Sequence, residues 1–250
     1  MANEAVVDRE IEQVQAEYER QVRMAVALAQ AQLSTQAAPG LPRAAGLKGV
    51  PDFPPDPDWF KVMGKYVVEA INHLPDTTSL VGGVVKIATT AYGRDLIARL
   101  VKAIGEKKDD EKLWKEFIDQ LVIGPRYGSL LLGVVSEAHA GIGVVGSTGV
   151  AVPLKPGSRV KWFSGLEKAV GISIGAGTGL VIGERLETPE HLTGQFYGGH
   201  IGVDIVASMS SSLYFDTSAD LTYKGFSAFV GVGAGFTVSV LSGWELVTSD

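Results

Sequence analysis

A glycine-rich and almost uncharged phrase recurs four times in the second half of the chain and limits what that half can fold into. The repeats begin at Gly141, Gly171, Gly199 and Gly231, so one unit spans about thirty residues, the length of two short strands and their turns. β-Branched residues alternate with glycines, which favours strands that curve tightly or approach another backbone closely. The pattern predicts an antiparallel meander or small barrel, and it contains no reactive side chain.

The residues before this region have helical periodicity. Apolar side chains between residues 4 and 36 recur at spacings of three and four, which predicts an amphipathic helix. Prolines within residues 37–58 predict an extended connector, because proline cannot donate the amide hydrogen bond that a helix needs. Asp58 is a good N-cap for the next helix. The helices predicted after the connector span Trp59 to about Leu74, 79–104 and 109–122.

Charge divides the chain in the same way. Residues 1–137 contain 16 Lys and Arg and 19 Asp and Glu, whereas residues 138–250 contain 6 and 9, together with 20 of the 31 glycines. Helices followed by strands, without alternation, predict an α+β fold and not a parallel nucleotide-binding sheet. The predicted regions are an amphipathic helix with a Pro-rich connector (1–58), a helical region (59–135), and a Gly-rich antiparallel sheet or barrel of about eight short strands (136–250).

The overall composition excludes several classes of function. The chain has no cysteine, so disulfides, thiolate nucleophiles and zinc–thiolate sites are excluded. Its net charge of −6 argues against nucleic-acid binding. Its first residues are acidic and polar, unlike a secretory signal. We expect a cytoplasmic protein whose contact with a membrane, if it has one, is peripheral.

No motif predicts catalysis, a cofactor or a metal. Gly141–Gly146 matches G-x-G-x-x-G, but no helix follows it and no βαβ pattern surrounds it, so we interpret its glycines as part of a curved sheet. The serines considered, Ser147, Ser164 and Ser227, lack a nucleophile-elbow sequence. Turn capping is the expected role of Asp204, Asp216 and Asp220, and no metal-ligand spacing relates the four histidines, His73, His139, His191 and His200.

The strongest candidate for a contact surface is basic. Between Lys155 and Lys168, four cations accompany one acidic residue in a half of the chain that is otherwise acidic. Cations beside an aromatic residue are typical of a surface that meets anionic lipid headgroups. An ordinary Pro-Gly hairpin whose aromatic residues enter the core explains the same segment equally well. The predicted lipid-binding residues are Lys155, Arg159, Lys161 and Trp162.

The helix predicted at residues 4–36 has three interpretations. Its polar face is acidic, which disfavours attraction to anionic headgroups. Packing against its own domain or against another subunit fits better. Because its apolar spacing approaches a heptad, a homo-oligomer formed through residues 4–36 is one alternative.

The order of the motifs in the C-terminal 115 residues or so resembles that of SYLF domains, a lipid-binding family. The resemblance implies an α+β domain that binds anionic lipid, phosphoinositide in the eukaryotic members, without catalysis. The chain departs from the family where Ala207-Ser-Met-Ser replaces a Gly-Pro and where Ser147 replaces a tyrosine. The collinear pieces include Ser136–Gly146, Ser147–Leu154, Lys161–Ser164, Val170–Ile182, Leu192–Phe196, Gly202–Ser208 and Lys224–Gly235.

The sequence therefore predicts a non-enzymatic module that binds anionic lipid through its β domain. One alternative is a self-assembling or pore-forming protein, in which the small-residue strands around Gly199–Ser212 and Phe226–Ser242 pair between subunits or enter a membrane. A further alternative is a β-barrel that binds an apolar small molecule.

Overall fold

The computed structural model describes residues 2–35, 58–108, 110–121, 123, 125–205 and 207–248. The predicted connector at residues 37–58 therefore lies outside the described residues except at Asp58, whose side chain accepts from the amide of Lys61, as predicted for an N-cap. The helices are α1 (Ala2–Thr35), α2 (Trp59–Asn72), α3 (Leu74–Thr89), α4 (Ala91–Gly105) and α5 (Glu111–Ile118).

The helix predicted over 79–104 is two helices, and that prediction was wrong at Thr90. The backbone of Thr90 is extended, and its hydroxyl accepts from the amide of Gly93 at 2.9 Å, which caps α4. A Cβ atom on Gly93 would lie 1.8 Å from the carbonyl oxygen of Ile87, so the chain turns too tightly there for any larger residue. A threonine cap and a glycine permit this break without interrupting the helical periodicity of the sequence.

The second half forms five antiparallel strands, and the predicted α+β fold with an eight-stranded barrel is confirmed. The first strand begins earlier than the boundary predicted at residue 136. The strands are β1 (Ser129–Pro153), β2 (Lys161–Arg185), β3 (Gly194–Ile205), β4 (Ala207–Phe215) and β5 (Tyr223–Thr248), and a short 3₁₀ helix at Pro189–His191 precedes β3.

The wall of the barrel consists of eight strand segments, which we call staves. The three longest strands, β1, β2 and β5, supply two staves each, and β3 and β4 supply one each. β5 pairs with β4 through its first half and with β3 through its second, while β3 and β4 also pair with each other. β1 and β2 pair along nearly their whole length, with an irregularity between Ala140 and Ile142. The two halves of β1 meet where Gly149 faces Gly133, and this contact closes the barrel.

Glycine is required where the staves of β1 meet. A Cβ atom on Gly133 would lie 2.4 Å from the carbonyl oxygen of Thr148, and one on Gly149 would lie 2.1 Å from that of Leu132. Both distances are far below van der Waals contact, so a side chain at either position would force the two halves of β1 apart. The recurring glycines of the sequence thus include positions where backbones approach closely, as the pattern predicts.

The helices pack against the outside of one part of the barrel. Tyr66 of α2 lies over Gly199 of β3, and α1 packs on α2 and α3. The apolar stripe of α1 is buried in this core at Tyr18, Val22 and Val26. Over its described part, the stripe is therefore covered by the chain's own residues, and an oligomer formed through that part would require α1 to exchange between copies.

Candidate functional site

The segment predicted to bind lipid forms a turn at one end of the barrel. Residues 154–160 join β1 to β2, and Gly157 has a left-handed φ of 93°, which favours glycine there. The amide of Leu154 donates to the carbonyl of Gly128 at 2.9 Å, and the amide of Arg159 donates to Glu190 Oε1 at 3.3 Å. The turn is thus held against the start of β1 and against the 3₁₀ helix.

The structure places the four predicted lipid-binding residues differently. Lys155 and Arg159 are exposed, and Lys161 is half-buried at the start of β2. Trp162 is partly buried against the core between barrel and helices, whereas Phe163 faces the barrel interior. Successive side chains of a strand point to opposite faces, which explains why these adjacent aromatic residues separate. The turn therefore brings cations together without an exposed aromatic pair.

One acidic residue lies beside these cations. Burial acts to raise the pKa of Glu190, but hydrogen bonds from its own backbone, from Thr188 and from the Arg159 amide outweigh it and lower the pKa to about 2. Glu190 is consequently ionised at neutral pH and reduces the positive potential of the turn. Among the described contacts of the turn, this carboxylate is the one that meets the backbone beside the exposed cations Lys155 and Arg159.

A second group of residues, inside the barrel, was not predicted from the sequence. Odd-numbered positions of β1, β2 and β5 and even-numbered positions of β3 and β4 line an interior cavity. The cavity has about 520 Å³ of atom-free space, part of it open to solvent, and the centre of a water molecule can reach about 30 Å³ of it. Its titratable lining residues are Glu137, Glu167, Arg185, His200, Tyr214 and Glu245.

Two sets of contacts organise these groups. His200 Nδ1 lies 2.8 Å from the Ser212 hydroxyl, and His200 Nε2 lies 3.5 Å from Glu137 Oε2. In the other set, the Tyr214 hydroxyl donates to Glu167 Oε1 at 3.3 Å, and the Arg185 guanidinium stacks 4.0 Å from the centre of the Tyr214 ring. Apolar side chains, among them Leu131, Phe163 and Phe229, line the same cavity, so the apolar ligand of the third functional alternative stays a prediction.

Arg185 links this second set to the barrel wall. Its Nε lies 3.6 Å from Glu245 Oε2, and its Nη1 donates to the carbonyl oxygen of Phe226 at 2.9 Å. Burial raises the pKa of Glu167 to about 8, although Arg185 acts in the opposite direction. Burial also raises the pKa of Glu245, again against Arg185. Carboxyl groups with raised pKa values in an enclosed cavity are typical of binding or acid–base sites.

Other residues singled out in the sequence lie apart from the cavity or outside its chemistry. His73 is buried between α2 and α3, where it stacks on Tyr223 with ring centres 4.0 Å apart. Burial lowers the pKa of His73, and the nearby Arg126 adds to this effect. His191 lies 3.1 Å from the Thr188 hydroxyl at the surface. The histidines whose side chains are described therefore belong to separate environments.

The serines and aspartates considered for catalysis also separate. Ser147 and Ser227 line the cavity, whereas Ser164 is exposed outside it. Asp216 accepts hydrogen bonds from the amides of Ser218 and Thr222 and caps the turn before β5. The side chain of Asp204 lies outside the described part of the structure. Among the described residues, no group of three or more His, Asp or Glu side chains is arranged to hold a metal ion.

No protein-family model, curated protein or solved structure significantly matches this chain. None of the described helices is both long enough and apolar enough to cross a bilayer. The functional argument therefore rests on the geometry of this molecule.

Proposed function

We propose that the chain is a non-enzymatic module that binds anionic lipid at a membrane surface through the turn at residues 154–160. The observation that supports this proposal is the exposure of Lys155 and Arg159 on a turn anchored by backbone hydrogen bonds. Neither side chain forms an ion pair with a described residue, so both cations are free to meet phosphate groups. The resemblance of the motif order to that of SYLF domains implies the same function, but the proposal rests on the turn itself.

The expected strength of this contact is moderate. Each basic side chain near an anionic membrane contributes about 1 kcal/mol, so Lys155, Arg159 and Lys161 together contribute about 3 kcal/mol, a factor of about 100 in binding. Glu190 subtracts from this total. The proposal needs no insertion of Trp162, since its ring already packs against the core.

Co-sedimentation with vesicles tests the proposal. The protein should bind anionic vesicles at low salt, bind neutral vesicles weakly, and lose binding as salt shortens the Debye length. Changing Lys155, Arg159 and Lys161 to Glu should lower the partition coefficient on anionic vesicles by at least about 100-fold. The matched control changes three exposed lysines far along the chain, Lys86, Lys112 and Lys115, to Glu, with the same change in net charge.

The two variants separate a local contact from a general charge effect. Equal loss of binding in both would show that net charge, and not the turn, governs attraction. Undiminished binding of the turn variant at low salt would remove the turn as the contact site. Absence of binding by the unmodified protein to every vesicle would reject the lipid-binding proposal itself.

A separate observation favours self-assembly as the second candidate function. The outward positions of β1 from Val134 to Thr148 contain no charged residue, and every one of them is exposed or half-buried. Strand pairing between subunits has little support, because β3, β4 and β5 already have partners on both sides in the closed barrel. Packing of this uncharged face against a second copy needs no free strand edge.

Sedimentation velocity over a range of protein concentrations tests this second candidate. If the face of β1 mediates assembly, Ala138→Lys should abolish concentration-dependent association, because it introduces a charge at the centre of the contact. Ala88→Lys, on the exposed surface of α3, is the control. A monomer at all concentrations, or association unchanged by Ala138→Lys, would exclude assembly through this face.

A further inference from the structure

The interior cavity contains more acidic than basic groups. Among the described side chains that line it, Glu137, Glu167 and Glu245 face a single guanidinium, that of Arg185. His200 adds at most one more positive charge when protonated. A buried carboxyl group without a cation is stabilised by a proton or by hydrogen bonds, and it can pair with a cation once it loses its proton. These acids can therefore act as counter-ions for a positively charged occupant that displaces a proton.

A buried hydroxyl in the same cavity lacks a partner. Ser210 lines the cavity and is only 2% exposed, yet its Oγ atom forms no hydrogen bond with any residue that the structure describes. Ser239, which pairs with His200 in the β3–β5 register and is fully buried, also has an Oγ atom without a partner. Leaving a buried hydroxyl unsatisfied is costly, so an occupant that donates or accepts a hydrogen bond is expected beside Ser210.

A second cavity adjoins the interior one on the side of the exposed residue Gln195. This second cavity, at the end of the barrel, shares Arg185, Phe196, Tyr214 and Glu245 with the interior one, and its rim includes Gln195. The two cavities therefore adjoin at these four side chains. A small solute entering past Gln195 would meet Tyr214 and then Glu167, to which Tyr214 is hydrogen-bonded.

We propose that the barrel interior binds a small primary ammonium ion, with the Glu167 carboxylate as its counter-ion and with hydroxyl groups of the cavity wall, such as that of Ser210, as further hydrogen-bonding groups of the site. A metal ion fits less well, because no group of three potential ligands is assembled among the described side chains. A primary ammonium group has three N–H donors, and it needs fewer protein ligands than a metal ion because water can accept from the donors that the protein does not pair. The space open to a water centre, about 30 Å³, limits the ligand to a few non-hydrogen atoms.

Binding of the ammonium ion is coupled to the release of a proton from Glu167. Burial keeps the pKa of Glu167 near 8 when the site is empty, so at neutral pH its carboxyl holds a proton that must leave for solvent when the ammonium ion binds. The ligand keeps its own charge, and up to one proton is released per ion bound. All five strands contribute further charged or titratable groups around Glu167. These groups are Glu137 of β1, Arg185 of β2, His200 of β3, Tyr214 of β4 and Glu245 of β5.

Isothermal titration calorimetry of the full chain with methylammonium chloride tests the proposal. Binding should be saturable, should release a proton into buffers of different ionisation enthalpy at pH 7, and should tighten as pH rises toward 8. Methanol and tetramethylammonium are matched probes, because the first lacks the charge and the second lacks N–H donors and exceeds the space. Glu167→Gln should weaken methylammonium binding about tenfold or more, since it removes a charge-assisted hydrogen bond.

Two variants keep the result interpretable. Ser210→Ala should weaken binding less than Glu167→Gln, while Glu106→Gln, on an exposed residue at the end of α4, should leave it unchanged. No saturable methylammonium binding, or binding that Glu167→Gln does not change, would overturn the proposal. Equal binding of methanol would assign the cavity to neutral solutes. None of these results depends on vesicles, so failure here and failure of the lipid proposal are distinguishable.

Discussion

Gly199→Ala should separate α2 from the barrel. A Cβ atom at this position would lie 2.2 Å from Cδ2 of Tyr66, 2.7 Å from its Cγ and 3.0 Å from its Cβ. Carbon atoms in contact are normally at least about 3.5 Å apart, so the clash exceeds 1 Å. Because the nearest atoms include the base of the side chain, rotating the ring cannot relieve the clash. Helix α2 must shift, and Tyr66 is fully buried in the main core.

Overpacking of a core typically costs about 1–3 kcal/mol, and a chain of this length loses about 2–4 °C in Tm per kcal/mol, so we expect Tm to fall by about 2–12 °C. The control is Gly146→Ala in β1, where no atom lies within 4 Å of the added Cβ. It should leave Tm unchanged or raise it, since alanine reduces the entropy of the unfolded chain.

Thermal unfolding followed by circular dichroism measures both variants. A second test adds Tyr66→Ala, which removes the clashing ring. Gly199→Ala should then cost little in the Tyr66→Ala background, and this coupling would place the effect at the contact of α2 with β3. Equal Tm values for Gly199→Ala and Gly146→Ala would refute the steric reasoning, because the two substitutions differ mainly in what the methyl group meets.

Three further predictions concern stability. The pKa of Glu167 rises from 4.5 in the unfolded chain to about 8 on folding, so between these pH values the folded state binds one more proton than the unfolded state. The free energy of unfolding should therefore fall with rising pH by up to about 1.4 kcal/mol per pH unit across that window. Urea unfolding of Glu167→Gln should show a weaker dependence of stability on pH, and an unchanged dependence would contradict the raised pKa of Glu167. Asp216→Ala should cost about 0.5–1.5 kcal/mol, because the exposed amide of Thr222 loses its acceptor, while Asp216→Asn, which keeps an acceptor oxygen, should cost less in the same assay. Tyr18→Ala should cost about 3–5 kcal/mol by emptying the site where α1 docks, whereas the exposed Met24→Ala should be nearly neutral, and similar values for both would argue against docking of α1.

The fold class could be predicted from the sequence because its signals are local. Helical spacing, the cap at Asp58 and the recurring glycines each act within a few residues, and they agree with the structure except at Thr90, where one predicted helix is two. The sequence allowed either an open sheet or a barrel and could not decide between them, since closure depends on β1 folding back so that Gly133 meets Gly149, a contact between distant residues that no local pattern specifies. The division of three long strands into two staves each has the same origin.

The interior site was missed because the usual alternation of apolar and polar residues is absent from these strands. Glu184 and Arg185 are adjacent and both buried, yet only Arg185 lines the cavity. Because small or apolar residues occur on both faces of the strands, the sequence does not reveal whether the odd-numbered or the even-numbered residues of a strand point into the barrel. A usable signal was present in the isolated charges at Glu137 and Glu245, each within a segment otherwise nearly uncharged, whereas Glu167 lies among the cations of the basic segment and gave no such signal. Isolated charges in such strands deserve consideration as interior groups.

The two candidate sites differ in what they cost the fold. Lys155 and Arg159 are exposed and solvated, so the basic turn can exist without loss of stability whether or not it has a function. Burying Glu167, Glu245 and Arg185 is unfavourable, and well-packed apolar residues in their places would often be neutral or stabilising. Natural proteins tend to break such local rules at functional sites. The cost of these groups therefore favours a role for the interior that is independent of membrane binding, which is why the amine titration and the vesicle assay must be judged separately.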